Sequence, residues 1–195
     1  MQTQVRPAWQ TAAVVVAGFV ALMWALEVLD TMTGHALDAY GVRPRTDDGL
    51  AGVVFAPALH YGFDHLAGNT VPVLVFGFLT LVNGVARGLG VTATIWIVAG
   101  LGVWVFGDPY SIHAGASSLI FGWIVYLAVR GFINRSWGQV AVGVVVLVLY
   151  GGVLWGVLPG QPGISWEGHL FGAVGGAIAA KAFGVKRGEQ RYALR

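Results

Sequence analysis

The 195-residue chain contains no cysteine. This absence excludes disulfide bonds, a cysteine nucleophile and a zinc site built on thiolates. Charged residues are also scarce, at 10% of the chain against about 25% in a typical soluble domain. Because 56% of the residues are hydrophobic, too little polar surface is left to face water on all sides. The net charge is only +2 and the sequence contains no stripe of basic residues, so a nucleic-acid partner is not expected.

The residues that are present form six apolar segments, and a membrane-spanning helix needs about 20 mostly apolar residues. Predicted spans cover approximately residues 9–29, 66–85, 89–106, 116–132, 140–157 and 169–184. The first segment is interpreted as an uncleaved span rather than a signal peptide, because it is long and no small-residue cleavage site follows it. No internal repeat or second domain is visible. The sequence therefore predicts an all-α polytopic membrane protein, with residues 1–195 forming one domain of six transmembrane helices in a lipid bilayer.

The distribution of Lys and Arg predicts the orientation of this bundle. If the N-terminus lies inside, the outer side receives Arg43 and Arg45, and the inner side receives the other nine of the eleven basic residues. Short cytoplasmic loops are enriched in Lys and Arg. We therefore expect both termini to be cytoplasmic, in the plasma membrane of a bacterial cell.

Polar side chains occur near the outer ends of three predicted spans, where they are costly and by default suggest function. His65 and Asn69 are four residues apart, so they share one helix face and both can donate hydrogen bonds into a cavity. A polar helix cap explains this pair equally well. The spacing of five from His60 to His65 places them on different faces of a regular helix. Since no His-Glu-x-x-His motif occurs either, no metal site is expected.

The other two polar positions are a serine and a histidine, each accompanied by glycine. Ser117 opens the fourth predicted span, and Gly115 before it allows close backbone approach near the free N–H groups of a helix start. Simple helix capping is the alternative. His169 shares a helix face with Gly172 and Gly176, and small residues there let a neighbouring helix approach closely. Helix packing explains the glycines but not the imidazole on the same face.

Together these residues suggest nucleophilic catalysis. A serine hydroxyl near neutral pH needs an adjacent base, and His169 can serve if its helix packs tightly on that of Ser117, which Gly122 would also permit. Asp64 and Glu167 are nearby in sequence but expected at the outer surface, so we predict a dyad rather than a triad. The oxyanion of an acyl-transfer intermediate needs fixed donors, which neighbouring span ends can supply.

Three motifs, in order, resemble those of the rhomboid family of intramembrane serine proteases. They are His60 with His65-x-x-x-Asn69, Gly115-Ala-Ser117-Ser118, and His169-x-x-Gly172-x-x-x-Gly176. The resemblance runs from Leu59 to about Gly184.

The resemblance implies six spans with both termini inside, Ser117 as nucleophile and His169 as general base. It assigns the oxyanion hole to His65, Asn69 and the Ser117 amide, and a supporting role to His60. It also implies that the substrates are other transmembrane proteins and that no cofactor is needed.

The chain departs from the family pattern at three places. Ser118 stands where many members have glycine, and Phe121 stands where many have a tyrosine whose ring packs on the catalytic histidine. A Trp-Arg pair frequent in the first long loop is missing.

The alternative function is a catalytically inactive rhomboid-like protein that binds membrane proteins, although such relatives usually lack the nucleophile or the base. A transporter or channel would need intramembrane charges on several spans. Glu27 is the only acidic residue well inside a predicted span, so this class is not favoured.

Overall fold

A computed structural model describes residues 7–184, of which 77% are helical and none belongs to a β-strand. The seven α-helices are α1 (Ala8–Met32), α2 (Asp47–Phe55), α3 (Phe63–Leu81), α4 (Val85–Phe106), α5 (Ser117–Ile133), α6 (Trp137–Tyr150) and α7 (Trp166–Ala182). Short 3-10 helices lie at Leu37–Tyr40, Ala56–Ala58 and Gly151–Val157.

Each predicted span coincides with an α-helix, with shifts of a few residues at the ends. The largest shift is at the end of α6, which ends seven residues before the predicted span because residues 151–157 continue as a 3-10 helix. Helix α3 begins three residues and ends four residues before its predicted span. Three helices are long and apolar enough to cross a membrane by length and composition: α1, α4 and the segment Trp137–Val157, in which α6 continues as a 3-10 helix. Large apolar side chains such as Val148 and Leu149 are exposed on the outside of the bundle. The protein is therefore a helical membrane protein, with three spans supported by these criteria.

Helix α5 is the central element, because it packs against α3, α4, α6 and α7. Its side chains Leu119, Ile124 and Leu127 are completely buried and form the middle of the main hydrophobic core. This position keeps the N-terminal end of α5 fixed relative to the surrounding helix ends.

The contact between α5 and α7 depends on glycine. A Cβ at Gly172 would overlap the carbonyl oxygen of Ser118, and one at Gly176 would overlap that of Gly122. The two helices therefore approach each other at backbone distance, which only small residues allow. This contact agrees with the role that the sequence suggested for these glycines.

Candidate active site

A cavity of about 670 Å³ lies at the end of the bundle where α3, α5 and α7 begin. The five predicted site residues that line it are Ser117, His169, His65, Asn69 and Phe121. Ser118 instead lines a smaller pocket between α2, α4 and α5. The cavity thus brings together residues that are up to 104 positions apart in the sequence.

The loop before Ser117 is fixed by backbone hydrogen bonds to the first long connector. His113 and Val42 exchange two N–H to carbonyl bonds of 2.9 and 2.8 Å, and the Gly115 N–H donates to the Ala56 carbonyl at 2.8 Å. These bonds satisfy the loop backbone. They also fix the point at which α5 begins, and therefore the position of Ser117.

Gly115 must be glycine for two reasons. Its φ of +119° lies in a region that residues with a side chain rarely adopt, and a Cβ there would lie 2.7 Å from the His65 ring. The absence of a side chain lets the His65 imidazole lie against the backbone immediately before Ser117.

His60 lies behind the cavity and supports the same loop. Its Nε2 accepts a 3.3 Å hydrogen bond from the Ala116 N–H. Burial lowers the pKa of His60 from 6.5 to about 4, so the ring is neutral and can accept this bond at neutral pH. The His60 and His65 rings meet edge to face with centroids 5.1 Å apart. The expectation that they diverge is wrong, because α3 begins at Phe63 and leaves His60 outside the helix.

The His169 ring is held by a backbone carbonyl and an aromatic face. Its Nδ1 lies 3.0 Å from the Gly156 oxygen, and its ring stacks on Phe121 with centroids 3.9 Å apart and an interplanar angle of 11°. A carbonyl oxygen can only accept, so Nδ1 carries the proton and Nε2 of the neutral ring has the free lone pair. No residue-type signal in the sequence pointed to Gly156, since the acceptor belongs to the backbone.

The donors on the opposite wall belong to α3 and to the start of α5. His65 Nδ1 accepts from the Tyr61 N–H at 3.4 Å, so the neutral His65 ring carries its proton on Nε2. Asn69 donates from Nδ2 to the His65 carbonyl at 2.9 Å, which leaves its second N–H available. The Ser117 N–H is at the first position of α5 and has no carbonyl one turn earlier within the helix.

A second hydrogen-bond network, not anticipated from the sequence, joins the loop before α5 to the start of α7. The Ser111 hydroxyl donates to the Asp108 carbonyl and accepts from His113 Nε2, both at 2.6 Å. His113 Nδ1 in turn accepts from the Ser165 hydroxyl at 2.6 Å. Ser165 is the N-cap of α7, where it accepts from the Gly168 N–H at 3.2 Å. His113 thus couples the segments that carry Ser117 and His169.

The two acidic residues near the site differ in their environments. Asp64 is exposed, as expected, but Glu167 is only 6% exposed, so its predicted surface position is wrong. The Glu167 side chain is enclosed in the first turn of α7. Burial of His113 lowers the pKa of that ring, and the charge of Glu167 opposes the decrease. The hydrogen-bond partner of the His169 ring is a backbone carbonyl and not either carboxylate.

One group of potential metal ligands lies elsewhere within residues 7–184. The ligand atoms of Asp30, His35 and Asp38 are within 4.8 Å of one another at the end of α1. None of the three lines the cavity. They are therefore separate from the serine and histidine that the proposed chemistry uses.

Comparison with known proteins agrees with this geometry. The family description "Rhomboid domain" matches residues 48–186, a range that contains all three motifs and helices α3 to α7. The chain belongs to the rhomboid family. The resemblance inferred from the motifs is thereby confirmed.

Relatives within this family include mycobacterial and Bacillus proteins. An uncharacterized protein of Mycobacterium tuberculosis (strain H37Rv) is 47% identical over 188 residues, covering 92% of this chain and 78% of that protein. An uncharacterized protein of Mycobacterium leprae is 43% identical over 188 residues, covering 92% and 74%. A Bacillus subtilis (strain 168) protein named "Putative rhomboid protease YdcA" is 34% identical over 136 residues, covering 69% and 67%.

Proposed function

We propose that this rhomboid-family protein is an intramembrane serine protease that hydrolyses peptide bonds in or near the transmembrane segments of other membrane proteins. The observation that carries the proposal is the arrangement of Ser117 and His169. Both line one cavity, and the bond from His169 to Gly156 leaves Nε2 as the free basic nitrogen. These observations support a serine nucleophile beside an oriented base, which acyl transfer requires.

In the proposed reaction, Ser117 Oγ attacks the scissile carbonyl carbon while its proton passes to His169 Nε2. The resulting imidazolium keeps its Nδ1–H bond to the Gly156 carbonyl. Collapse of the tetrahedral intermediate breaks the C–N bond, and Nε2 returns the proton to the leaving amine. Water then hydrolyses the acyl-serine by the same steps, with His169 again acting as base. No metal or organic cofactor takes part.

The negative charge of the intermediate would be stabilised by three donors. They are the Nε2–H of His65, the second N–H of Asn69 and the backbone N–H of Ser117. The Tyr61 N–H holds the His65 ring, and the Asn69 side chain is held by its bond to the His65 carbonyl. The Ser117 N–H is fixed by its position at the start of α5. Fixed donors of this kind cost little reorganisation during the reaction.

The cavity also has a wall suited to an apolar substrate. Pro72, Ile120, Ile124 and Val153 contribute to it beside the polar catalytic groups. A segment from a transmembrane helix could lie on this wall with its backbone carbonyl facing Ser117. The polar part of the cavity would admit the water needed for deacylation.

The proposal includes six spans with both termini in the cytoplasm, so that the cavity opens towards the outer side. The Lys and Arg distribution supports this orientation. Reporter fusions after Arg135 and after Arg195 should read cytoplasmic, and a fusion within residues 160–163 should read external. The reverse pattern would contradict the topology.

A serine-directed fluorophosphonate probe tests the catalytic proposal directly. The parental protein should form an adduct on Ser117, located by peptide mass spectrometry, and Ser118→Ala should label like the parent. Ser117→Ala and His169→Ala should not label and should not cleave a transmembrane reporter substrate. A folded parental protein that fails to label would favour the inactive, membrane-protein-binding alternative. An adduct on Ser118 would overturn the assignment of the nucleophile.

A further inference from the structure

A basic pocket lies at the end of the bundle opposite the catalytic cavity. It is formed where α3 and α5 end and where α4 and α6 begin. The polar side chains that line it are Thr80, Asn83, Arg87, Tyr126, Arg130, Asn134 and Gln139. This lining contains two arginines and no carboxylate.

Arg130 has a buried charge without an anionic partner among the residues that the structure describes. It is only 4% exposed, and its Nε has no hydrogen-bond partner. Within residues 7–184 the one ion pair joins His35 to Asp30, far from this pocket. The Tyr126 ring, 5.4 Å from the guanidinium carbon, stabilises the charge in part. The last carbonyls of α5 add only about half an elementary charge, so residues 7–184 supply no full counter-charge.

Acidic side chains are absent from this whole end of the described structure. In the described residues, Asp and Glu lie towards the cavity end, at Glu27, Asp30, Asp38, Asp47, Asp48, Asp64, Asp108 and Glu167. Lys181 and Arg135 add further positive charge to the end of the bundle that contains the basic pocket. Since a buried cation is costly without compensation, the pocket is suited to an anion from outside the protein.

The start of α4 faces the same pocket and favours the same charge. Gly84 is its N-cap, without a side-chain cap, and it lines the pocket together with Arg87 in the first turn. The unpaired N–H groups of a helix start favour phosphate and other anions. The Thr80 hydroxyl is also buried without a partner. Donors from three helices therefore converge on one small volume.

We propose that this pocket binds a phosphate group, supplied by the headgroup of an anionic phospholipid. Arginine donates to phosphate through a planar fork, and basic pockets at helix ends on the cytoplasmic side bind such headgroups. The enclosed part of the pocket is about 20 Å³, enough for one oxygen atom or water-sized group. One phosphate oxygen would therefore insert beside Arg130, with the rest of the headgroup at the mouth near Arg87. This site does not depend on the proposed catalytic chemistry, because it lies outside the catalytic cavity, but its cytoplasmic placement rests on the proposed topology.

The test measures lipid binding by the purified full-length chain in a non-ionic detergent. Thermal unfolding and native mass spectrometry would be followed during titration with phosphatidylglycerol, with phosphatidylcholine and with inorganic phosphate. Phosphatidylglycerol should bind and raise the unfolding temperature more than phosphatidylcholine. Arg130→Gln should raise the Kd for phosphatidylglycerol by about tenfold or more, as expected for a lost charge-assisted hydrogen bond. Arg87→Gln should raise it less.

The matched control is Arg135→Gln, which removes the same charge from an exposed residue at the same end that does not line the pocket. It should bind phosphatidylglycerol like the parent. If Arg130→Gln does not fold, Arg130→Lys and Arg87→Gln decide, because each weakens the phosphate contact and the second changes an exposed side chain. An inorganic phosphate response that requires Arg130 would identify a soluble phosphate as the ligand and overturn the lipid assignment. Equal binding by the Arg135, Arg87 and Arg130 variants would overturn the site itself.

Discussion

Replacing Gly172 by alanine should separate the two helices that carry the proposed dyad. A Cβ at this position would overlap the Ser118 carbonyl oxygen and lie 3.0 Å from its carbonyl carbon. Ordinary carbon contacts begin at about 3.5 Å. Because the overlap with the oxygen is the larger of the two, helix α7 would have to move away from α5 by roughly 1 Å. The displacement would fall between Ser117 and His169.

The expected consequence is a loss of rate rather than a loss of the fold. A misplacement of about 1 Å can reduce catalysis by about 100-fold. Inserting a methyl group into a well-packed contact typically costs about 1–3 kcal/mol of stability. We therefore expect kcat/KM of Gly172→Ala to fall by about 10- to 100-fold, with a modest decrease in Tm.

The assay compares cleavage of a transmembrane reporter substrate in proteoliposomes with thermal unfolding of the same preparations. Gly18→Ala is the matched control, because a Cβ on this α1 residue meets nothing within 4 Å. It should leave the rate unchanged. Gly176→Ala clashes with Gly122 one turn farther from the dyad, so it should reduce stability similarly and the rate less. Parental activity and stability in Gly172→Ala would refute the argument that helix proximity positions the dyad.

Two further predictions concern the residues around Ser117. Asn69→Ala should lower kcat by about 10²–10³ with little change in Tm. Substrate cleavage and thermal unfolding measure the two effects. A variant that unfolds in detergent, or that cleaves at the parental rate, would favour a structural role for Asn69. The pKa of His60 is about 4 in the folded protein against 6.5 as its ordinary value. Between these two values the unfolded chain binds a proton on His60 that the folded protein does not bind. The free energy of unfolding therefore decreases as the pH falls through this range. The loss attributable to His60 should be about 2 kcal/mol at pH 5, and an unchanged pH slope in His60→Gln would contradict this linkage.

The helices and the local motifs could be predicted because their signals lie within single segments. Apolar runs of spanning length located six of the seven α-helices, and they missed the short α2, which lies in the predicted long connector. The pair His65 and Asn69, one turn apart, required only helix periodicity. The glycines at 172 and 176 likewise indicated a close helix contact before any partner was known.

Contacts that depend on tertiary structure could not be predicted in the same way. The acceptor for His169 is the backbone of Gly156, and every residue offers a carbonyl, so the sequence contains no distinguishing signal. His113 and Ser165 are 52 positions apart, and their hydrogen bond exists only because α5 and α7 begin side by side. The burial of Glu167 also follows from this packing rather than from its position in the sequence.

The use of a carbonyl in place of a carboxylate behind His169 has a physical rationale in this environment. A carboxylate buried beside the ring would bring its own desolvation cost, which is high in a medium of low dielectric constant. The Gly156 carbonyl fixes the same tautomer and ring direction without adding a net charge. In the proposed mechanism its partial negative charge would stabilise the imidazolium less than a full charge, so more of the orientation must come from packing. The Phe121 ring, stacked at 3.9 Å, and the glycine contact between α5 and α7 provide that packing from neutral groups.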